Sequence, residues 1–177
     1  SDGVDAHPSL SADMADQARR AGIYSLLAAL LRDHPQPAAL DYAAQLSTES
    51  TDEKTELAVA FAMLALAAQH SDKEALRDEY HALFIGLGRG ELVPYGSWYQ
   101  TGFLMEKPLG QLRADLAALG FERDDGVREP EDHVAALCEV MAYMVADNVP
   151  METQRRFFET HLSSWVEQFF DDLANAD

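Results

Sequence analysis

The sequence predicts an all-α protein: a single compact helical domain of roughly seven to nine helices with a glycine- and proline-rich loop near its middle. Three observations predict it. Apolar residues recur at spacings of three and four along most of the chain, the period of a helix with one buried face. Helix-start signals, either a hydroxyl followed three positions later by Glu or a proline at an entry position, precede several of these runs. No stretch alternates convincingly at period two, and there is no internal repeat or low-complexity tract. Folding a chain of 177 residues removes roughly 70% of its extended surface from water, enough for one sizeable core and not for two.

Ile23, Leu26, Leu27, Leu30 and Leu31 define the first stripe, which His34-Pro35-Gln36-Pro37 stops. A short helix around Leu40 to Leu46 follows. Ser50-Thr51-Asp52-Glu53 reads as a capping box for a helix carrying Leu57, Phe61, Leu64, Ala65 and Ala68, and Ser71-Asp72-Lys73-Glu74 repeats the signal before Leu76, Tyr80, Leu83 and Phe84. From Gly86 to Ser97 four glycines and Pro94 break the period, which predicts an irregular loop. Helix resumes near Pro108, with Leu109, Leu112, Leu116 and Leu119 inward and Gly120 as its stop. A polar connector over residues 122–128 leads to Pro130, read as opening the next helix. That helix presents Val134, Leu137, Cys138, Met141, Met144 and Val145 and ends at Asn148-Val149-Pro150. Phe157, Phe158 and Leu162 follow, and Ser164-Trp165-Val166-Glu167 reads as a third box before Phe169 and Leu173. Residues 1–177 form one domain, with possible lobes at 1–120 and 129–177 joined by a hinge at 121–130.

The composition narrows the partners. With 13 Lys and Arg against 31 Asp and Glu, the formal charge is −18, which disfavours nucleic acid and anionic lipid headgroups. A basic ligand is attracted instead, although such charge also serves solubility alone. The single cysteine, Cys138, excludes an internal disulfide framework and any site of several thiolates. No uncharged run reaches the roughly 18 residues of a membrane span, and no basic n-region opens the sequence. The expected address is the cytoplasm, without stable membrane insertion.

Three constellations carry candidate chemistry. The six histidines show no metal-ligand spacing, so zinc is disfavoured. Gly86-x-Gly88-x-Gly90 follows a helix and lacks a Gly-Lys-Ser/Thr ending, so it reads as backbone freedom rather than a phosphate cradle. Glu129-Pro130-Glu131-Asp132-His133 is the densest polar cluster. It is either an acid/base pair in search of a nucleophile or a helix start, with Glu129, Glu131 and Asp132 in the first turn and His133 a hydrogen-bonded core residue. Tyr80, Phe84, Tyr95, Trp98 and Tyr99 flank the glycine loop, where aromatic faces and phenol hydroxyls can line a groove for a peptide; half of them are equally at home in the core.

The run Tyr80-x-x-Leu83-Phe84-x-Gly86-x-Gly88, then Pro94-Tyr95-x-Ser97-x-Tyr99, then Glu129-Pro130-x-Asp132-His133 with Glu139 and Met141 downstream, resembles the TorD/DmsD family of redox-enzyme maturation chaperones. Phe158-x-x-His161-Leu162-x-x-Trp165 fits it too. The likeness spans about Tyr80 to Trp165; the N-terminal half matches only as helical pattern. It implies an all-α, non-enzymatic chaperone without a cofactor of its own. Such a chaperone binds the apo-form of a molybdopterin oxidoreductase catalytic subunit, often through a twin-arginine signal peptide, until cofactor is inserted. The family's ligand-facing positions carry over as Tyr80, Leu83, Phe84, Pro94, Tyr95, Ser97 and Tyr99, with Asp132 and His133, while Glu129 and Pro130 shape a hinge. Some members exchange segments across that hinge to form homodimers. Gly96-Ser97-Trp98-Tyr99-x-Thr101-Gly102-Phe103-Leu104, with the Glu129 motif, looks most like the branch accompanying formate dehydrogenases.

Two other functions compete with a peptide-binding chaperone. One is a hydrolase or nucleotide-binding protein using Asp132-His133 and the Gly86–Gly90 loop, which needs a third group that the sequence does not display. The other is a helical regulatory domain docking a partner helix, which would be less sensitive to salt than a site for a basic peptide.

Overall fold

The apolar stripe from Ile23 to Leu31 belongs to a helix that starts well before it. In the computed structural model, which describes residues 8–49, 56–85 and 90–176, α1 runs over Pro8–Arg32. Its first half has few large apolar side chains to show a period, and polar contacts hold it instead. Gln17 Nε2 donates to Val145 O at 2.6 Å and Arg20 Nη2 to Gln154 Oε1 at 3.0 Å. Helices α2 (Pro37–Glu49) and α3 (Glu56–Gln69) follow; the Ser50–Glu53 start signal lies outside the described residues. These helices meet α1 through a small cluster of Leu26, Ala43, Leu30, Tyr42, Leu64 and Ala68. Gly22 permits the approach, because a Cβ there would collide with the Tyr42 phenol.

Helix α4 (Lys73–Tyr80) is capped by Asp72, not Ser71: its carboxylate accepts from Glu74 N at 3.0 Å. The Ser71 hydroxyl turns back to Ala67 O instead. Beyond Tyr80 the helix widens into a π-helical turn, His81–Ile85, which no periodicity announces. Past the glycine loop the chain comes back against this turn, and Leu92 N donates to Leu83 O at 2.8 Å. Gly90 is required at the crossing, since a Cβ would strike the backbone of Leu83 and Phe84.

Residues 86–89 of the predicted irregular loop lie outside the described residues. Helix α5 (Gly96–Thr101) occupies the loop's end, nucleated by a cap from Asp132 that lies far away in sequence. Helix α6 (Lys107–Ala118) has Pro108 in its first turn, and Gly120 follows it with φ +89°. Pro130 does not open the next helix. Helix α7 spans Val134–Ala146 with His133 as N-cap, because His133 is held in an antiparallel bridge to Tyr95. After α8 (Met151–His161), α9 covers Val166–Ala174. Its cap position is Trp165, not Ser164, and no side chain bonds the free N–H groups there. Burial of the indole, whose Nε1 donates to His161 O at 2.7 Å, sets that turn.

Nine α-helices and no β-strand are present among the described residues. Helix α7 is the axis of the main core: Val134, Ala135, Met144 and Val145 have no exposed surface, and the first three cluster with Leu109 and Leu112 of α6, Phe157 of α8, Trp165 at the cap of α9 and Phe169 within it. Helix α1 lies along α7, so the N-terminal part and the C-terminal helices share an interface. Ion pairs fasten the connector between them: Arg113 and Arg123 to Glu131 at 3.0 and 3.2 Å, and Arg32 to Glu129 at 2.9 Å. No described helix is long and apolar enough to cross a membrane.

Candidate peptide-binding site

The predicted site residues divide between two places. Pro94, Tyr95 and Ser97 meet Asp132 and His133 in a buried junction. Val134 N donates to Pro94 O at 2.9 Å, and Gly96 N to Asp132 O at 3.0 Å. Ser97 N donates to Asp132 Oδ2 at 2.7 Å. The Asp132 carboxylate therefore caps α5, not the helix that follows it in sequence. That leaves the α7 start to His133, whose Nδ1 accepts from Ala135 N at 3.0 Å. Ser97 is fully buried, Asp132 3% exposed and His133 5%, so a ligand reaches none of the three side chains without displacing its neighbours.

The electrostatics follow from that burial. Burial pushes the His133 imidazole below its ordinary pKa; Glu129 opposes the shift, Arg32 reinforces it and Asp132 opposes it. Glu129 stands at the centre: Arg32 Nη1 lies 2.9 Å from one carboxylate oxygen and His133 Nε2 3.7 Å from the other. The Tyr95 ring packs edge-on against His133 at 5.1 Å, and burial, with Glu129 and Asp132 nearby, pushes its phenol up to about 12. Within the junction Asp132 Oδ1 is buried without a hydrogen bond among the described residues.

Tyr80, Leu83 and Phe84 lie elsewhere, on one wall of an apolar groove of about 430 Å³. Leu27, Leu30 and Leu31 of α1 and Phe170 and Leu173 of α9 are among its other liners, with Glu79 as its one charged liner among the described residues. Tyr80 and Phe84 pack at 4.8 Å between centroids. The Tyr80 hydroxyl donates to Leu31 O at 3.2 Å, and burial, with Asp33 and Glu129, pushes that phenol up to about 12. The same bond links groove to junction, because the next residue, Arg32, pairs with both Glu129 and Glu139. Tyr99 belongs to neither place. It stacks on Trp165 at 5.4 Å, and its hydroxyl donates to Asp172 Oδ2 at 2.7 Å.

The hinge pair Glu129 and Pro130 lines a smaller cleft of about 300 Å³ with Arg32, Phe121, Arg123 and Glu139. A cleft of about 390 Å³ between α6 and α8, lined by Asp115, Arg156 and Phe157 among others, takes in none of the predicted positions. Among the described residues no three His, Cys, Asp or Glu side chains converge to hold a metal ion. Burial pushes the Cys138 thiol up to about 12, with Glu139 adding to it, so it is an interior apolar group and not a nucleophile. Sequence reasoning missed Arg32 and the α9 liners Phe170 and Leu173. The stripe Phe169, Leu173 was visible, but nothing in it says which helix α9 faces.

A model of the nitrate reductase delta subunit family matches residues 12–171. A chaperone protein TorD of Vibrio cholerae is 28% identical over 127 residues, 66% of this chain and 53% of the relative. A TorD of Actinobacillus pleuropneumoniae is 24% identical over 124 residues, 70% of this chain and 59% of the relative. The chain thus spans about half the length of the curated relatives it matches. A crystal structure from Archaeoglobus fulgidus, described as that of a candidate redox enzyme maturation protein, superposes with a TM-score of 0.52 at 20% identity over 80% of this chain and 79% of that one. At that identity the likeness is one of fold.

Proposed function

The chain belongs to the nitrate reductase delta subunit family, that of the TorD and DmsD chaperones, and on that premise we propose that it is a client-specific chaperone for a molybdopterin oxidoreductase. It holds the signal peptide or N-terminal segment of the catalytic subunit, together with the apo-form, in the cytoplasm until cofactor is inserted, and it changes no covalent bond itself. The observation that carries this is the open apolar groove beneath Tyr80, Leu83 and Phe84 in a chain of net charge −18. An apolar cleft takes the apolar body of a twin-arginine peptide, and the surrounding field draws in its basic head.

Within this proposal Tyr80, Leu83 and Phe84 touch the segment. Pro94, Tyr95, Ser97, Asp132 and His133 act on it indirectly, by holding the frame that presents the groove, and Tyr99 does so by tying α5 to α9. A formate dehydrogenase catalytic subunit is the first client to try. Residues 121–130 are the segment across which two copies would exchange helices, and light scattering reports the mass.

Isothermal titration with twin-arginine peptides from molybdopterin oxidoreductases of the source organism tests the function. The expected affinity is micromolar or tighter, roughly −8 kcal/mol, falling steeply as salt rises. If no such peptide and no apo-subunit binds, the proposal is wrong; if binding ignores salt, the ligand is an apolar partner helix instead.

A further inference from the structure

The segment after α5 exposes three apolar side chains in a row: Phe103 at 68%, Leu104 at 44% and Met105 at 63%. Isolated exposed apolar residues are ordinary, but consecutive ones on a turn fixed by hydrogen bonds are not. Gly102 takes φ +81° and donates to Trp98 O at 2.8 Å. The Thr101 hydroxyl donates to Ser97 O at 2.8 Å and accepts from Phe103 N at 3.2 Å. Met105 sits at φ +61°, a backbone region that side chains with a Cβ rarely adopt. Its N–H donates to Ser97 Oγ at 3.2 Å. The loop is thus anchored at Ser97, the buried residue that Asp132 holds from the far side.

We propose that Phe103, Leu104 and Met105 form a second docking element, a convex apolar knuckle that inserts into an apolar pocket with a basic rim on the folded body of the protein partner. The shape excludes a bound peptide, since a protruding turn offers an extended segment no walls. The charge chooses among the remaining occupants. A net −18 repels an anionic membrane and favours a positively charged surface. Fixing the turn before contact lowers the ordering cost of association, which gives the strained Met105 backbone a purpose.

The proposal rests on the chaperone function, and the experiment separates the two. The probe is the cofactor-free catalytic subunit bound by the wild-type chain, prepared whole and with its N-terminal segment removed. A triple variant, Phe103→Ser, Leu104→Ser and Met105→Asn, replaces exposed side chains and keeps a residue tolerant of positive φ at 105, so its melting and its titration with the isolated peptide should match wild type. Its affinity for the truncated subunit should fall about 30-fold or more, the loss expected when a central contact is truncated. Thr101→Ala, which frees the turn with all three apolar side chains intact, should weaken the same complex by a smaller factor. Equal binding of the truncated subunit by wild type and triple variant overturns the knuckle and leaves the groove standing. So does a truncated subunit that no longer binds wild type at all, or a variant whose only change is loss of self-association or of vesicle binding. Failure of the whole subunit and the peptide to bind removes the chaperone function and the knuckle with it.

Discussion

The junction of residues 94–97 with 129–134 and the groove beneath Tyr80 are joined by one residue step, Leu31 to Arg32, yet they are built on opposite principles. In the junction backbone N–H groups, a carboxylate and an imidazole bond one another out of reach of water. In the groove Leu27, Leu30 and Phe84 stay partly open over a floor of buried Leu31, Tyr80 and Leu83, and the side-chain hydrogen bond there is that of the Tyr80 hydroxyl to Leu31 O. Residues that read as one motif set therefore do two jobs. Buried polar groups carry a large penalty if their partners leave, so the junction is a device for fixing geometry. An open apolar wall leaves surface against water when empty, at about 25 cal/mol per Å², and whatever covers it recovers that cost.

The comparison breaks most visibly if groove and junction variants fail to separate. Phe84→Glu puts a charge on the apolar wall and should weaken a twin-arginine peptide by about 30-fold or more, or 2 kcal/mol, with a smaller stability loss of about 1 kcal/mol, because Phe84 packs against the core yet is only partly buried. Next in size, Asp132→Ala removes the acceptor for Ser97 N and should destabilise the fold by about 1–3 kcal/mol in urea titration, while protein that remains folded binds peptide as before. A peptide-affinity loss from Asp132→Ala without a stability loss would make the carboxylate a direct contact and collapse the distinction. Tyr80→Phe sharpens it from the other side, at about 0.5–1.5 kcal/mol for the hydroxyl that ties the groove wall to Leu31.

How far these places were legible in the sequence follows from the range of the forces that build them. Helices α4, α6 and α7 announce themselves because leucine and methionine recur at helical spacing, a local property. The start of α5 is invisible locally: the Tyr95 side chain at its cap position bonds none of the free N–H groups, and the acceptor is Asp132, at a sequence separation of 35 from Ser97. The same long-range bond explains why Asp132 looked like a first-turn residue of α7 and is not. Ser71 and Ser164 matched the capping pattern, but Asp72 offered a better acceptor in one case and Trp165 burial decided the other. Of the predicted site, Tyr80, Leu83 and Phe84 share a wall because they lie at helical spacing, whereas the opposite wall comes from α9, whose facing no local pattern states.

The smallest effect separates the junction's two candidate stabilisers, the neutral imidazole and the ion pair. Because burial depresses the His133 pKa, the unfolded chain, whose histidine titrates near about 6.5, binds the proton more readily than the folded one. The stabilisation is then complete above that pH and is lost as pH falls from about 6.5 toward the folded value. Glu129 pulls the other way at 3.7 Å, more strongly than Arg32 opposes it and with Asp132 on its side, but burial outweighs them. His133→Asn keeps an acceptor at the α7 cap and removes the titration. The melting temperature of wild type should drop relative to this variant between about pH 6.5 and 5.5, with parallel curves above about pH 7. A wild type that gains on the variant as the pH falls would show that Glu129 and the charged ring form the working pair, and that the junction is held by an ion pair after all.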